Sequence, residues 1–340
     1  MFAVDTVKLK ANQAKTIMKK IAVFTSGGDA PGMNACIRAV VRAALYYKME
    51  VWGINRGYEG LIEGNMKKMN SSSVSNIIQR GGTILGSARS DRFRTKKGRK
   101  EAYEQLKANG IEGVVAIGGD GTFTGANVFM QEYPDIKMVG CPGTIDNDLY
   151  GTDYTIGYLT AINTAMNAID NIKDTADAHD RLFFVEVMGR DAGFIALRAA
   201  IATGAEAALV PEEVTVFDKL IKQLNAHYGK KKTSGIVVVA EGDDGGRAHE
   251  IAEKVKKSCG YTDIRVTILG HVQRGGRPTC LERVNASKMG MEAVRALRMG
   301  MKGVMIGIVS SKIAYTPFDQ AIKHHQHMDP TLLEMVEILA

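Results

Sequence analysis

Carboxylates set beside bare glycines are the residues of this chain best placed to do chemistry. Ala116-Ile-Gly-Gly-Asp-Gly-Thr-Phe-Thr-Gly-Ala-Asn127 follows the short β-branched run Gly113 to Ile117, which reads as a buried parallel strand. At such a strand end only glycine lets a ligand come close to the backbone, so the loop can cradle phosphate. Thr122 to Met130 continues with helical periodicity, aiming free N–H groups and the positive end of a helix dipole at the same place. Asp120 would repel a phosphate directly, and its natural partner there is a divalent cation that bridges the two. The loop therefore reads as a metal and nucleotide site. Asp146 and Asp148, in Pro142-Gly-Thr-Ile-Asp-Asn-Asp148 after the strand Met138 to Cys141, supply a base to orient an attacking hydroxyl.

Strands must hold these loops, and the pattern along the chain supplies them. Ile21 to Thr25 is a first strand, closed by Ser26-Gly-Gly-Asp-Ala-Pro-Gly-Met-Asn34, which opens a helix running to about Tyr47. The same order of strand, Gly-Gly-Asp and helix recurs at Gly118. Two phosphate-facing loops in one sheet predict a doubly wound lobe that collects ligands at the carboxyl ends of its strands. Val51 to Asn55 is a further strand, Arg80 to Arg89 another glycine-rich loop, and the helix Lys97 to Asn109 ends on Gly110 as its C-cap.

From Leu159 onward helices and strands alternate: strands at Leu182 to Met188, Ala207 to Val210, Ile236 to Ala240 and Arg265 to Leu269, with helices between them. Alternation this regular implies a second parallel sheet with crossover helices. The fold class is thus α/β: two doubly wound lobes with mainly parallel sheets and the active site in the interlobe cleft. Residues 18–156 plus 270–316 make one lobe and 157–269 the other, with His271 to Gly276 at the hinge and 317–340 as a C-terminal tail. Residues 1–17 read as an extension outside the fold, disordered or not native. His324, His325 and His327 read as a hydrated helix end, since no carboxylate or cysteine completes a metal set.

Composition narrows the class. The apolar share of 45% and charged share of 24% are those of a globular protein, and no apolar run approaches the roughly 18 residues of a membrane span. Cys36, Cys141, Cys259 and Cys280 are widely spaced, which fits a reducing, cytoplasmic compartment. The net charge of +7 is spread along the chain without a nucleic-acid signature, and small anionic substrates account for it as well. In the densest basic run, Arg89 to Lys100, the lysines read as a solvated helix start, while Arg89 and Arg94 follow Gly-Ser-Ala closely enough to reach phosphate.

Gly-Gly-Asp-Gly-Thr alone also fits other kinases. Joined by Ser26 to Asn34, Pro142 to Asp148, Val185-Glu-Val-Met-Gly-Arg190 and Gly270-His-Val-Gln-Arg-Gly-Gly276, in this order and spacing, it resembles the bacterial 6-phosphofructokinases from about Met18 to the last strand. The resemblance implies phosphorylation of the 1-hydroxyl of fructose 6-phosphate by ATP with Mg²⁺, the committed step of glycolysis. It implies Asp146 as the base, Thr144 beside the transferring phosphoryl group, Arg190 and Arg89 neutralising its charge, and Asp120 as metal ligand. ATP contacts then fall on Gly28, Tyr58, Arg89, Ser90, Arg94, Gly119, Asp120, Gly121, Thr122 and Gly125. Those to fructose 6-phosphate fall on Thr144, Asp146, Met188, Gly189, Arg190, Glu241, His271 and Arg274, with Arg181 and Arg265 supplied by a neighbouring subunit of a homo-oligomer, a tetramer.

The resemblance also bears on donor and regulation. Pyrophosphate-dependent relatives carry Asp and Lys where this chain has Gly121 and Gly143, so ATP is the expected donor. An effector pocket for ADP or phosphoenolpyruvate maps to Arg38, Arg42, Lys173, Gly204, Glu206, Lys230 and Lys232. One pocket arginine is replaced by Ser71 and a nearby carboxylate by Asn76, so effector control is expected in weakened or altered form. Two other readings stay open at this point: a pyrophosphate-dependent enzyme, and a non-catalytic sugar-phosphate or nucleotide sensor of the same fold.

Overall fold

The structure is a computed structural model that describes residues 18–227, 234–324 and 326–340. The chain begins with β1 (Lys20–Thr25), α1 (Met33–Tyr46), β2 (Glu50–Ile54), α2 (Gly57–Ile62), β3 (Met66–Met69) and α3 (Lys96–Ala108). It continues through β4 (Gly113–Gly118), α4 (Asp120–Glu132), β5 (Lys137–Thr144), β6 (Ile156–Gly157) and α5 (Tyr158–His179). Next come β7 (Leu182–Val187), α6 (Phe194–Thr203), β8 (Ala207–Leu209), α7 (Phe217–His227), β9 (Gly235–Ala240), α8 (Ala248–Lys256) and β10 (Ile264–Ile268). The last elements are α9 (Cys280–Arg298), β11 (Val304–Val309), β12 (Lys312–Pro317), α10 (Phe318–Lys323) and α11 (Pro330–Leu339).

β1, β4, β7 and β9 are buried along nearly their whole length, because helices cover both faces of the sheets they belong to. That is why they read as unbroken apolar runs. Among the described residues the strands form two sheets. The larger has the order β12-β11-β5-β4-β1-β2-β3, with β6 added beside β5; the smaller has the order β10-β7-β9-β8 and is parallel throughout. One apolar cluster runs from Val23 and Ile37 through Ala161 and Ile169 to Val185 and Ile195, so the two sheets share a core.

In the larger sheet β1 lies between β2 and β4, and the chain winds away from it in both directions. This is the switch point at which a crevice opens beyond the carboxyl ends of the strands. β5 is next to β4, and the backbone N–H of Ser26 donates to the Ile117 carbonyl at 2.9 Å. The loops after β1, β4 and β5 therefore stand side by side.

Three features differ from the sequence reading. β3 and β12 are additional antiparallel edge strands, and β3 carries exposed Lys67 and Lys68, as suits an edge that must not pair further. The C-terminal tail folds into two helices: α10 packs on α4, with Phe318 stacked on Phe123 at 5.0 Å, and α11 packs on α6 and β8. His324 caps α10 and meets the ring of Tyr150 edge-on at 5.6 Å, whereas His325 lies outside the described residues. Residues 1–17, Lys230 and Lys232 also lie outside them. Among the described residues no helix is long and apolar enough to cross a membrane.

Candidate active site

The crevice holds a cavity of about 1020 Å³. One wall is Gly28 after β1, Tyr58 on α2, and Gly119, Asp120, Gly121, Thr122 and Gly125 around the start of α4. Arg89, Ser90 and Arg94, ahead of α3, complete it, so every residue assigned from the sequence to ATP lines this space. The opposite wall is Thr144 and Asp146 from the end of β5, Met188 and Arg190 after β7, Glu241 after β9, and His271 and Arg274 after β10.

Asp146 sits in a turn fixed from several sides. Its backbone N–H donates to Thr144 Oγ1 at 3.2 Å, and Thr155 Oγ1 donates to the Thr144 carbonyl at 2.6 Å. Asn147, with φ of 57°, accepts the backbone N–H of Thr155 on Oδ1 at 2.8 Å. Burial first, and next the neighbouring Asp148 carboxylate, push the Asp146 carboxyl up to about 6, against the opposing pull of Arg274. Its Oδ1 is buried and has no hydrogen-bond partner among the described residues. A buried acceptor left in this way is stabilised once a ligand hydroxyl meets it.

The sugar-side turn is equally specified. Arg190 has φ of 56°, and Glu241 Oε1 accepts the backbone N–H groups of Arg190 at 2.7 Å and Gly189 at 3.3 Å. The Arg190 side chain is 76% exposed and can turn toward a ligand. Arg274 donates from Nη1 to the Asp29 carbonyl at 3.4 Å, tying the turn after β10 to the loop after β1.

On the nucleotide side the Tyr58 hydroxyl is committed to the Thr122 carbonyl at 2.6 Å and its ring stacks on Phe93 at 3.8 Å. Ser90 donates to Glu59 at 2.5 Å, and Arg92 pairs with the same carboxylate at 2.8 Å. Phe93, Arg99, Thr124 and Val128 also line the cavity and were not found from the sequence. Thr124 and Val128 share a helix face with Asp120 and Gly121, a spacing that could have marked them. Phe93 was hidden inside the basic run. Arg99 is buried, clasps Glu132 with two bonds of 2.7 Å, and donates to the carbonyls of Phe93 and Arg94 at 3.0 and 2.8 Å.

Two assigned arginines are not brought in. Arg181 and Arg265 both pair with Asp263, at 2.6 and 2.9 Å, at the amino ends of β7 and β10, whereas the cavity lies at the carboxyl ends. Of the residues assigned to an effector, Lys173 donates to the Thr203 carbonyl at 2.5 Å near Gly204, the C-cap of α6, and Glu206 is buried. Arg38 and Arg42 lie on α1, where Arg42 donates to the Ser71 carbonyl at 3.3 Å.

The lining of the cavity fits a Mg²⁺ ion that is only partly held by protein. No group of three or more His, Cys, Asp or Glu side chains that could hold a metal occurs among the described residues, so there is no all-protein cage. Asp120, exposed at the first turn of α4 and lining the cavity together with Asp146, Asp148 and Glu241, offers a hard carboxylate of the kind Mg²⁺ takes alongside water and substrate phosphates.

Residues 20–297 match the family model described as Phosphofructokinase. The chain is 55% identical over 322 residues to an ATP-dependent 6-phosphofructokinase of Cytophaga hutchinsonii, covering 95% of this chain and 98% of that one. It is 53% identical over 323 residues to ATP-dependent 6-phosphofructokinase 1 of Thermus thermophilus, with 95% and 100% covered. Among solved structures, the phosphofructokinase of Pichia pastoris superposes with a TM-score of 0.85 at 38% identity; the match spans 92% of this chain but only 36% of that longer one. A pyrophosphate-dependent phosphofructokinase from Marinobacter aquaeolei has the same fold, with a TM-score of 0.81 at 23% identity and coverage of 92% and 86%.

Proposed function

The chain belongs to the phosphofructokinase family, and from that premise we propose that its cleft transfers the γ-phosphoryl group of ATP to the 1-hydroxyl of fructose 6-phosphate. The observation that carries this reading is the convergence of two glycine loops, Asp146, Arg190 and Arg274 on one cavity. The bare loops and the start of α4 offer backbone N–H groups to the triphosphate. Asp120 holds Mg²⁺, which when bound neutralises phosphate oxygens. Asp146 takes the proton of the 1-hydroxyl: a carboxyl near 6 is ionised at neutral pH yet more basic than an ordinary aspartate. Thr144 accepts the Asp146 backbone N–H and so keeps its own proton for the phosphoryl group, whose equatorial charge Arg190 and Arg89 offset. His271 and Arg274 hold the 6-phosphate, and Met188, Gly189 and Glu241 frame the sugar.

Arg181 and Arg265 serve a neighbouring copy in a homotetramer; their place at the strand ends remote from this chain's own cavity supports that assignment. ADP or phosphoenolpyruvate binds the group that includes Arg38, Arg42, Lys173, Gly204, Glu206, Lys230 and Lys232, with reduced strength because Ser71 replaces an arginine. Residues 18–156 plus 270–316 act as the ATP lobe and 157–269 as the sugar lobe, and the enzyme works in the cytoplasm. The test is direct: purified protein, fructose 6-phosphate and Mg²⁺ are mixed with ATP or with pyrophosphate, and fructose 1,6-bisphosphate is followed. Product with ATP alone is expected. Product only with pyrophosphate overturns the donor, and none with either overturns the catalytic reading.

A further inference from the structure

The turn that carries Asp146 has two buried backbone carbonyls whose partner comes from the far end of the chain. Asn147 and Thr152 are both almost fully buried, and a carbonyl in such a place needs a donor. The side chain of Gln326 reaches both. The Asn147 amide is oriented by the Thr155 N–H on its Oδ1, so it presents its Nδ2 hydrogens to the Asp153 carbonyl at 3.2 Å. One atom of the Gln326 amide faces both carbonyls and also Asn147 Nδ2 at 3.2 Å. As oxygen it accepts from Nδ2 alone and opposes two carbonyls. As nitrogen it donates to the Asn147 carbonyl at 3.1 Å and to the Thr152 carbonyl at 3.2 Å while Nδ2 keeps the Asp153 carbonyl, so the second orientation pairs more groups. The first of these carbonyls belongs to the residue that directly follows Asp146.

The segment bearing Gln326 is anchored on both sides. Before it, α10 packs on α4, the helix whose start lines the nucleotide wall, through Phe318 and Phe123. After it, Asp329 caps α11 by accepting the Thr331 N–H at 2.9 Å, and α11 packs on α6, which follows the turn carrying Arg190. A strap thus runs from the nucleotide side to the sugar side and touches the catalytic turn midway.

We infer that Gln326 is a positioning residue for the phosphoryl transfer, holding the turn of Asp146 at the depth and angle the reaction needs. The inference rests on the reading of Asp146 as the base. It predicts a loss in turnover instead of in binding, because displacing a catalytic group by a fraction of an ångström to 1 Å costs up to about 100-fold while the phosphate contacts stay in place. It also predicts a change in titration. Asp146 faces Asp148, Arg274, Glu241 and the Thr144 hydroxyl, and burial is the largest influence on it. Loosening the turn admits water and brings the carboxyl back toward its ordinary range.

The test compares Gln326→Ala and the isosteric Gln326→Glu, which keeps size but lacks both donors, with Val336→Ala, which thins the buried face of α11, the helix that packs on α6 and β8. Steady-state kinetics with ATP, Mg²⁺ and fructose 6-phosphate across pH 5 to 9, and thermal melts, are read for each. Expected is a kcat lowered by about 10- to 100-fold in both Gln326 variants, KM for ATP within about twofold of wild type, and the acid limb of the kcat profile moved below that of wild type in Gln326→Ala; in Gln326→Glu the added carboxylate opposes that movement. Val336→Ala should melt earlier and keep its kcat. Gln326 variants with wild-type kcat and an unmoved acid limb overturn the inference, as does an equal loss of kcat in Val336→Ala. Asp146→Asn run alongside separates the two failures: if it alone is inactive, only the role of Gln326 falls, and if it is active the base assignment falls with it.

Discussion

Gly28 and Arg274 close on each other across the cleft: a Cβ placed on Gly28 would stand 2.4 Å from Nη1 of Arg274. One residue belongs to the loop after β1 and the other to the turn after β10, so the nucleotide wall and the sugar-phosphate wall meet here without room for a methyl group. Gly28→Ala must therefore displace the guanidinium, the far end of a flexible side chain, and leave the buried sheet untouched. We expect the melting temperature to stay within about 2 °C of wild type, while KM for fructose 6-phosphate rises about tenfold through the disturbed charge-assisted contact. A KM unchanged for both substrates would show that Arg274 does not need this place.

Asp146→Asn removes the only group we assign as base. Turnover should fall by on the order of 10²–10⁴. In the wild type, kcat/KM should decline as pH drops through about 6, where burial and Asp148 hold the carboxyl, well above an ordinary aspartate. The variant's residual rate should lack that limb. Circular dichroism and the melting curve check that the fold persists; a variant that keeps wild-type turnover ends the assignment.

The two glycines tied to donor choice are not equivalent. A Cβ on Gly121 meets nothing within 4 Å, whereas one on Gly143 would lie 3.0 Å from Met33 Cε, 3.1 Å from Ile117 Cγ2 and 3.2 Å from the Gly118 nitrogen. Gly121→Asp should fold with wild-type stability and place a carboxylate against the nucleotide phosphates, cutting kcat/KM for ATP about tenfold or more. Gly143→Lys should instead lower stability by about 1–3 kcal/mol through overpacking behind the loop. Donor kinetics and melts on the two single variants check the contrast. Equal stability losses would mean that Gly143 is not confined by its neighbours.

The glycine loops were legible because each is a local pattern: a buried strand, then residues without side chains, then a helix, all within about a dozen positions. Asp120 and Asp146 were legible for the same reason, as carboxylates fixed inside such loops. What escaped depends on partners remote in the chain. β12 is an edge strand only because β11 lies beside it, and Arg99 looks like one more solvated cation until Glu132, 33 positions on, clasps it at 2.7 Å. Gln326 carries no local signal, since its role comes from meeting Asn147, its carbonyl and side-chain amide, across 179 positions. The place of Arg181 and Arg265, by contrast, was legible: the sequence already set one just before a strand and the other at a strand's first position, the ends opposite the glycine loops.

Glu282 gives the last test, on stability. α5 begins at Gly157 with no side-chain cap of its own. Glu282, from the first turn of α9, supplies one: its carboxylate accepts Thr160 N–H and Oγ1, both at 3.2 Å, and the N–H groups of Gly157 and Leu159. The helix N-terminus favours the charged form, but burial outweighs it and pushes the carboxyl up to about 7. A carboxyl raised in the folded state binds its proton more tightly there than in the unfolded chain. Its contribution to stability is therefore full below the ordinary glutamate range and is lost as pH rises through about 7. Glu282→Gln keeps the shape and an acceptor oxygen while removing the buried charge. Relative to wild type, its melting temperature should be higher at pH 8 than at pH 5. Glu282→Ala, which leaves the N–H groups unpaired, should be destabilised at both pH values by about 1–3 kcal/mol. Melting curves of the three proteins at pH 5 and 8 decide it: a Gln variant whose difference from wild type is the same at both pH values would mean that Glu282 does not titrate in this range.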